Sequence, residues 1–112
     1  MSEGLPLEGL RVLELGHIIA GPSAGLVLAD LGADVVKVER PGEGDQSRGM
    51  PAGTAANFHF LNRNKRSVAI DLKGSAEGRA LFLRLVTGTD VLIDNFAHGA
   101  VEALGLGYEV LA

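Results

Sequence analysis

Two short apolar runs with a helix-length segment between them, all inside thirty residues, restrict this chain to few folds. Arg11-Val-Leu-Glu-Leu15 is apolar with one polar break and is closed by Gly16, the pattern of a buried strand. Ala20–Leu31 follows, with Leu26, Val27, Ala29 and Leu31 as its apolar positions. Pro22 stands where a first helical turn tolerates it, and Gly32 where helices stop. Asp34-Val-Val-Lys-Val-Glu39 is a second strand, ended by Arg40-Pro41-Gly42. A strand, helix and strand this close make a βαβ unit, which requires parallel pairing and a right-handed crossover.

The alternation continues. Pro41–Thr54, with four glycines and two prolines, reads as loop, and Ala55–Leu61 as a short helix. Ser67–Leu72 is a third strand. Ser75 is a candidate N-cap, although Gly78 three residues on provides no capping box, and Leu81, Phe82, Leu85 and Val86 supply a helical apolar face. Asp90–Asp94 is a fourth strand, Val101–Leu104 is helical, and Gly105–Ala112 begins another turn or helix. The expected class is α/β: a Rossmann-like, mostly parallel sheet with flanking helices. Because Glu109-Val-Leu-Ala112 breaks off in an apolar stretch, residues 1–112 are expected to be the first part of a larger domain.

Composition removes several function classes. With no cysteine, disulfide frameworks, thiolate zinc sites and cysteine nucleophiles are excluded. His17, His59 and His98 show no metal-ligand spacing, so no metal is expected. A net charge of −4 argues against nucleic acid as a partner. The longest uncharged run with apolar content, Leu15–Ala29, is 15 residues and broken by Gly16, Gly21, Pro22 and Gly25, too short for a bilayer. Glu3 and Glu8 stand where a signal peptide needs basic residues. No membrane partner and a cytoplasmic setting are the expectations.

Four stretches are candidates for chemistry. Gly16-His-Ile-Ile-Ala-Gly-Pro-Ser23 joins the first strand to its helix, at the rim where open α/β sheets take ligands, and its glycines permit close backbone approach. It matches neither standard phosphate loop, and it reads equally as a plain βα connection. Glu39-Arg40 stands where a dinucleotide fold places a ribose-binding acid and a phosphate-binding arginine, or is simply an exposed pair before a turn. Arg63, Lys65, Arg66 and Lys73 fall within 11 residues and suit an anion, or form a solvated loop. Asn95-Phe96 after the fourth strand offers an amide and a stacking ring, or a turn and a core residue. Ser23 has no base nearby in sequence, and no catalytic constellation emerges.

In order, Leu7-Glu-Gly-Leu-Arg-Val-Leu-Glu-Leu15, Ala20-Gly-Pro22, Leu28-Ala-Asp-Leu-Gly-Ala-Asp-Val-Val-Lys-Val-Glu-Arg-Pro41, Gly44-Asp45, Arg48, Asn62-Arg-Asn-Lys-Arg-Ser67, Asp71-Leu-Lys73, Asp90-Val-Leu-Ile-Asp-Asn-Phe96 and Leu104-Gly-Leu-Gly-Tyr108 resemble the opening third of class III CoA-transferases, the CaiB/BaiF family. The resemblance implies a CoA-binding large domain, subunits interlocked as a homodimer, and movement of CoA between an acyl-CoA and a carboxylic acid through intermediates on an aspartate. Coenzyme A is then a substrate, with no permanently bound cofactor. Carried over by position, His17, Ile19 and Ala20 line the CoA and acyl path. Arg40 lies by the adenosine end, Leu72 and Lys73 sit at the nucleotide, and Asn95, Phe96 and Ala97 contact CoA from the fourth strand. The basic cluster has the same anion.

The resemblance places the nucleophilic aspartate beyond Ala112, so no catalytic residue is expected in this chain, which alone is expected to be inactive. Ile19 replaces the glutamine of formyl-CoA transferases, which counts against oxalate and formate. Asn95-Phe-Ala-His-Gly99 stands where many relatives read Asn-Phe-Arg-Pro-Gly, and Ala103 where many have arginine, so two cationic contacts are missing. An α-methylacyl-CoA racemase is the rival within the family, and the long Pro41–Asn62 segment with Arg48 favours a transferase. Outside it, a nucleotide-binding module using Glu39 for ribose and a non-catalytic folding or dimerisation unit with an exposed apolar sheet edge are the alternatives.

Overall fold

Alternate residues of the first strand feed two separate cores, and the whole arrangement follows from that split. In the computed structural model, which describes residues 4–49 and 55–112, the elements in chain order are β1 (Arg11–Glu14), α1 (Ala20–Asp30), β2 (Asp34–Glu39), a 3₁₀ turn (Gln46–Gly49), α2 (Ala55–Leu61), β3 (Arg66–Ala69), α3 (Ala76–Thr87), β4 (Val91–Ile93), α4 (Ala100–Ala103) and α5 (Tyr108–Leu111). Leu13 and Leu15 point to one face, where they pack with Val38, Ile70, Leu106 and the fully buried Phe82 of α3. Val12 points to the other, with Val35 and with Ala29 of α1. Period-two strands between helices on both faces bury both sets of side chains.

The strands pair in the order β3-β2-β1-β4 and are parallel throughout. This is the expected α/β class. The order reverses between β1 and β4, so the crevice at their carboxyl ends is a topological switch point, where open α/β sheets bind ligands. β3 is shorter and starts earlier than the Ser67–Leu72 reading, because only four residues find partners on β2. Ile70, just past the last register pair, donates its N–H to the Glu39 carbonyl at 2.9 Å and packs into the core beneath α3.

The helix ends behave as their residues require. Gly32 has φ +106, and the N–H groups of Gly32 and Ala33 donate to the carbonyls of Ala29 and Leu28, closing α1 with a Schellman-type turn. Ser75 caps α3 by accepting from the Gly78 N–H at 3.0 Å. The Pro41–Thr54 loop reading is modified by the 3₁₀ turn; residues 50–54 lie outside the described part. The described residues contain no helix long and apolar enough to cross a membrane and no group of three or more metal-ligating side chains.

Candidate functional site

Parallel pairing brings every carboxyl end to one rim, so the segments after β1, β2, β3 and β4 all emerge together. A cavity of about 210 Å³ opens there, walled by His17 after β1, by Arg40, Gly44, Asp45 and Gln46 after β2, and by Phe96 after β4.

Beneath it, on the α1 face, the strands change character. Val12 and Val35 near their amino ends are apolar, whereas the same alternation carries Glu14, Lys37 and Glu39 at their carboxyl ends. All three are buried. Glu14 and Lys37 are register partners, and Lys37 Nζ lies 2.8 Å from Glu14 Oε2. Lys37 Nζ also lies 2.8 Å from Asp45 Oδ2, as an ion pair, and donates to the Gly16 carbonyl at 3.0 Å. Lys65 Nζ approaches the other oxygen of Glu14 to 2.6 Å and donates to the Pro22 carbonyl and to Asn62 Oδ1. Two ammonium groups face two carboxylates, so the buried cluster is neutral, as desolvated charges require. Gly25 of α1 lies against it: a Cβ there would collide with Glu14 Oε1 and come within 3.1 Å of Lys65 Cε.

A second buried carboxylate holds the loop after β2. Glu39 accepts from Arg48 Nε and Nη2 at 2.8 and 2.9 Å, from the Asp45 N–H at 2.8 Å, and from the Ser67 hydroxyl. Arg48 lies 3.9 Å from the Phe58 ring centroid, tying the loop to α2. Burial alone would raise the Glu39 carboxyl; Arg48, Ser67 and the Asp45 N–H outweigh it and hold it at about 2. Burial likewise opposes ionisation of Asp45, and Lys37 together with Ser47 brings it to about 2. Burial draws the Lys65 ammonium below its usual range, against the pull of Glu14.

The loop after β1 is fixed from two sides. Asn95 accepts from the His17 N–H at 3.0 Å and donates to the His17 carbonyl at 2.8 Å. Asp45 Oδ1 accepts from the Ile18 N–H at 3.2 Å, and also from the Ser47 N–H and hydroxyl. Ile18 has φ +65, a left-handed conformation that costs an L-residue roughly 1–2 kcal/mol. The His17 ring stands 5.5 Å from Phe96, tilted by 41°.

The nine expected contact residues divide. His17, Arg40 and Phe96 wall the cavity, and Asn95 grips His17 beside it. Ile19, 58% exposed, precedes α1, and Ala20 opens it. Ala97 is exposed on the same rim. Arg40 is exposed, its guanidinium donating to the Gly44 carbonyl at 3.1 Å and pairing with Glu43 at 3.0 Å. Leu72 and Lys73 do not wall this cavity. They follow β3, three strand spacings or about 14 Å of sheet from β4. Leu72 packs against the α3-side core, and Lys73 is exposed.

Three readings of the sequence change. The basic cluster is largely paired with carboxylates of the chain itself: Lys65 belongs to the buried quartet, while on the surface Arg63 pairs with Asp30 at 2.8 Å and Arg66 with Asp34 at 2.6 Å. Among the described residues only Lys73 of that cluster lacks an ion-pair partner. Glu39 is fully engaged by donors of its own chain, which removes the ribose-binding role. Gly16 and Gly21 use their missing side chains on each other, since a Cβ on either would lie 2.6 or 2.5 Å from the other's Cα. Glu14 and Lys37 stood outside the four candidate stretches, and their signal was charged residues in phase on otherwise apolar strands. Asp45 and Lys65 lie off the strands, in the loop after β2 and just before β3, and no local pattern pointed to their burial.

The residues match the family model described as CoA-transferase family III from position 7 to 112. The succinate–glutarate CoA-transferase of Agrobacterium fabrum is 48% identical over 116 residues, which cover 95% of this chain and 29% of that protein. Human succinyl-CoA:glutarate CoA-transferase is 44% identical, covering 97% and 26%. The crystal structure of a CAIB/BAIF family protein from Brucella suis superposes with a TM-score of 0.88 at 48% identity, covering 96% of this chain and 30% of that one. The chain thus spans under a third of the length of these relatives. A family match over residues 7–112, on a parallel sheet of the expected α/β class, leads to one conclusion: the chain belongs to CoA-transferase family III.

Proposed function

We propose that this chain supplies the nucleotide-facing part of a coenzyme A site in an enzyme that moves CoA between an acyl-CoA and a carboxylic acid. The observation that carries the reading is the rim cavity, where an exposed arginine, a histidine and an aromatic ring from three strand ends face one space in a chain of this family. Arg40 is suited to a phosphate because its present partners are solvent-exposed and exchange at little cost. Phe96 and His17 offer faces on which a flat heterocycle or a pantetheine arm lies. Lys73, farther along the rim, suits an extended ligand better than a compact one.

The carboxylate that carries the acyl group is assigned to a part of the enzyme outside these 112 residues, and the chain alone binds CoA without turning it over. In the complete enzyme two such subunits interlock as a homodimer in the cytoplasm. Calorimetric titration with CoA, 3′-dephospho-CoA and NAD tests the site. CoA is expected to bind tightest, and Arg40→Ala to weaken it about tenfold, the worth of one charge-assisted hydrogen bond. Tighter NAD binding, or an Arg40→Ala variant with unchanged affinity, would overturn the assignment. Exchange of CoA between succinyl-CoA and glutarate by the 112-residue chain would show that the transfer chemistry lies inside it.

A further inference from the structure

Among the described residues Ile18 is the only β-branched residue with positive φ, at +65; the other non-glycine case, Asn64, is of a type that tolerates that region. An isoleucine stays left-handed only where its surroundings hold it. Here the hold is visible. The Ile18 N–H is received by Asp45 Oδ1, from a segment 27 residues away that is itself nailed down. Asp45 is 5% exposed, its other oxygen faces Lys37, its N–H is taken by Glu39, and Ser47 donates to it twice. Asn95 secures the preceding residue, His17, at both backbone groups. Reversing the chain at Ile18 turns His17 toward Phe96 and the cavity, and leaves Ile19 exposed at the start of α1.

We propose that Asp45 is a positioning residue for the loop Gly16–Ile19: it fixes Ile18 in the left-handed conformation and thereby aims His17 and Ile19 at the ligand. This rests on the CoA-binding reading above for its consequence, but not for its geometry. Lys37 links the same carboxylate to the Gly16 carbonyl, so both ends of the turn hang on Asp45. The strained residue and its restraint come from different loops, so correct docking of the β2–α2 connection is a condition for a formed ligand loop.

The test is a rescue. Wild type, Asp45→Ala, and Asp45→Ala combined with Ile18→Gly are compared by NMR without ligand and by calorimetry with CoA. A strong intraresidue HN–Hα NOE at residue 18 marks positive φ. Asp45→Ala is expected to lose it and to raise the CoA Kd about tenfold. Glycine adopts positive φ without steric cost, so the double variant is expected to recover to within about threefold of wild type. A general loss of folding would not be repaired at residue 18. A strong Ile18 NOE persisting in Asp45→Ala, unchanged CoA affinity, or failure of the double variant to recover would each overturn the proposal. If Asp45→Ala does not fold, Ser47→Ala removes one restraint on the same carboxylate and must weaken the Ile18 NOE in a folded chain; an unchanged NOE refutes the role. If wild type binds no CoA, the functional reading fails, while the NOE still decides whether Asp45 holds the loop.

Discussion

Replacing Gly25 by alanine should destabilise the protein, against the usual direction for a glycine inside a helix. Helix propensity alone predicts a gain of about 1 kcal/mol from this change. The new methyl group, however, would overlap Glu14 Oε1 and come within 3.1 Å of both Glu14 Cδ and Lys65 Cε. None of these atoms is free to retreat. Glu14 is wholly buried and held by Lys37 at 2.8 Å and Lys65 at 2.6 Å, and α1 is seated on the sheet through the Gly16–Gly21 contact. Relief requires opening the Glu14–Lys65 pair, and breaking a buried pair costs about 3–5 kcal/mol. The net expectation is a loss of about 2–4 kcal/mol, or a fall of about 1–2 M in the urea midpoint at a slope near 2 kcal/mol/M. The control is a background carrying Glu14→Ala and Lys65→Ala, which removes both ends of the pair. There the same Gly25→Ala change has nothing to displace and should raise the midpoint. A Gly25→Ala protein as stable as its parent, or a change of the same sign and size in both backgrounds, would refute the reasoning.

The carboxylates of Glu39 and Asp45 predict a specific acid sensitivity. Both stand at about 2 when folded, below ordinary values of 4.5 and 3.8. The unfolded chain therefore takes up protons first, and the stability these groups contribute, full above about pH 4.5, is lost as pH falls toward 2. A urea midpoint that stays level from pH 6 to pH 3 would contradict this. Removing the exposed arginines of the former anion cluster, by Arg63→Ala with Arg66→Ala, should leave CoA affinity unchanged and barely move the urea midpoint, since exposed ion pairs contribute little; calorimetry showing tenfold weaker binding would place them in the ligand site.

The legible part of the fold lay where local pattern and tertiary demand agree. The β1–α1–β2 unit was readable because apolar residues, Pro22 and Gly32 all marked the same boundaries, and the fold class followed from the spacing. β3 was misplaced because Val68, Ile70 and Leu72 alternate across a stretch whose last register pair is Ala69 with Glu39; the Ile70 N–H makes the final bond to β2, at 2.9 Å to the Glu39 carbonyl, and the apolar pattern runs on into the core beyond it. The site was half legible. Loops at strand ends can be named from order alone, so His17, Arg40 and Asn95 were accessible to reading. Which of their groups face a ligand was not, because Asn95 spends its amide on the backbone of His17, 78 positions away.

By itself the amino-acid order determined the periodicities, the helix stops and hence a parallel sheet with all its carboxyl ends at one rim, since each depends on residues within a turn or two of one another. Only the tertiary structure decided the fate of the charges. Glu14, Lys37, Asp45 and Lys65 come from four separate segments, and any one of them alone would be expelled to solvent. Their burial depends on arriving together, because a desolvated charge is tolerable only opposite its partner, and no local stretch of sequence contains both.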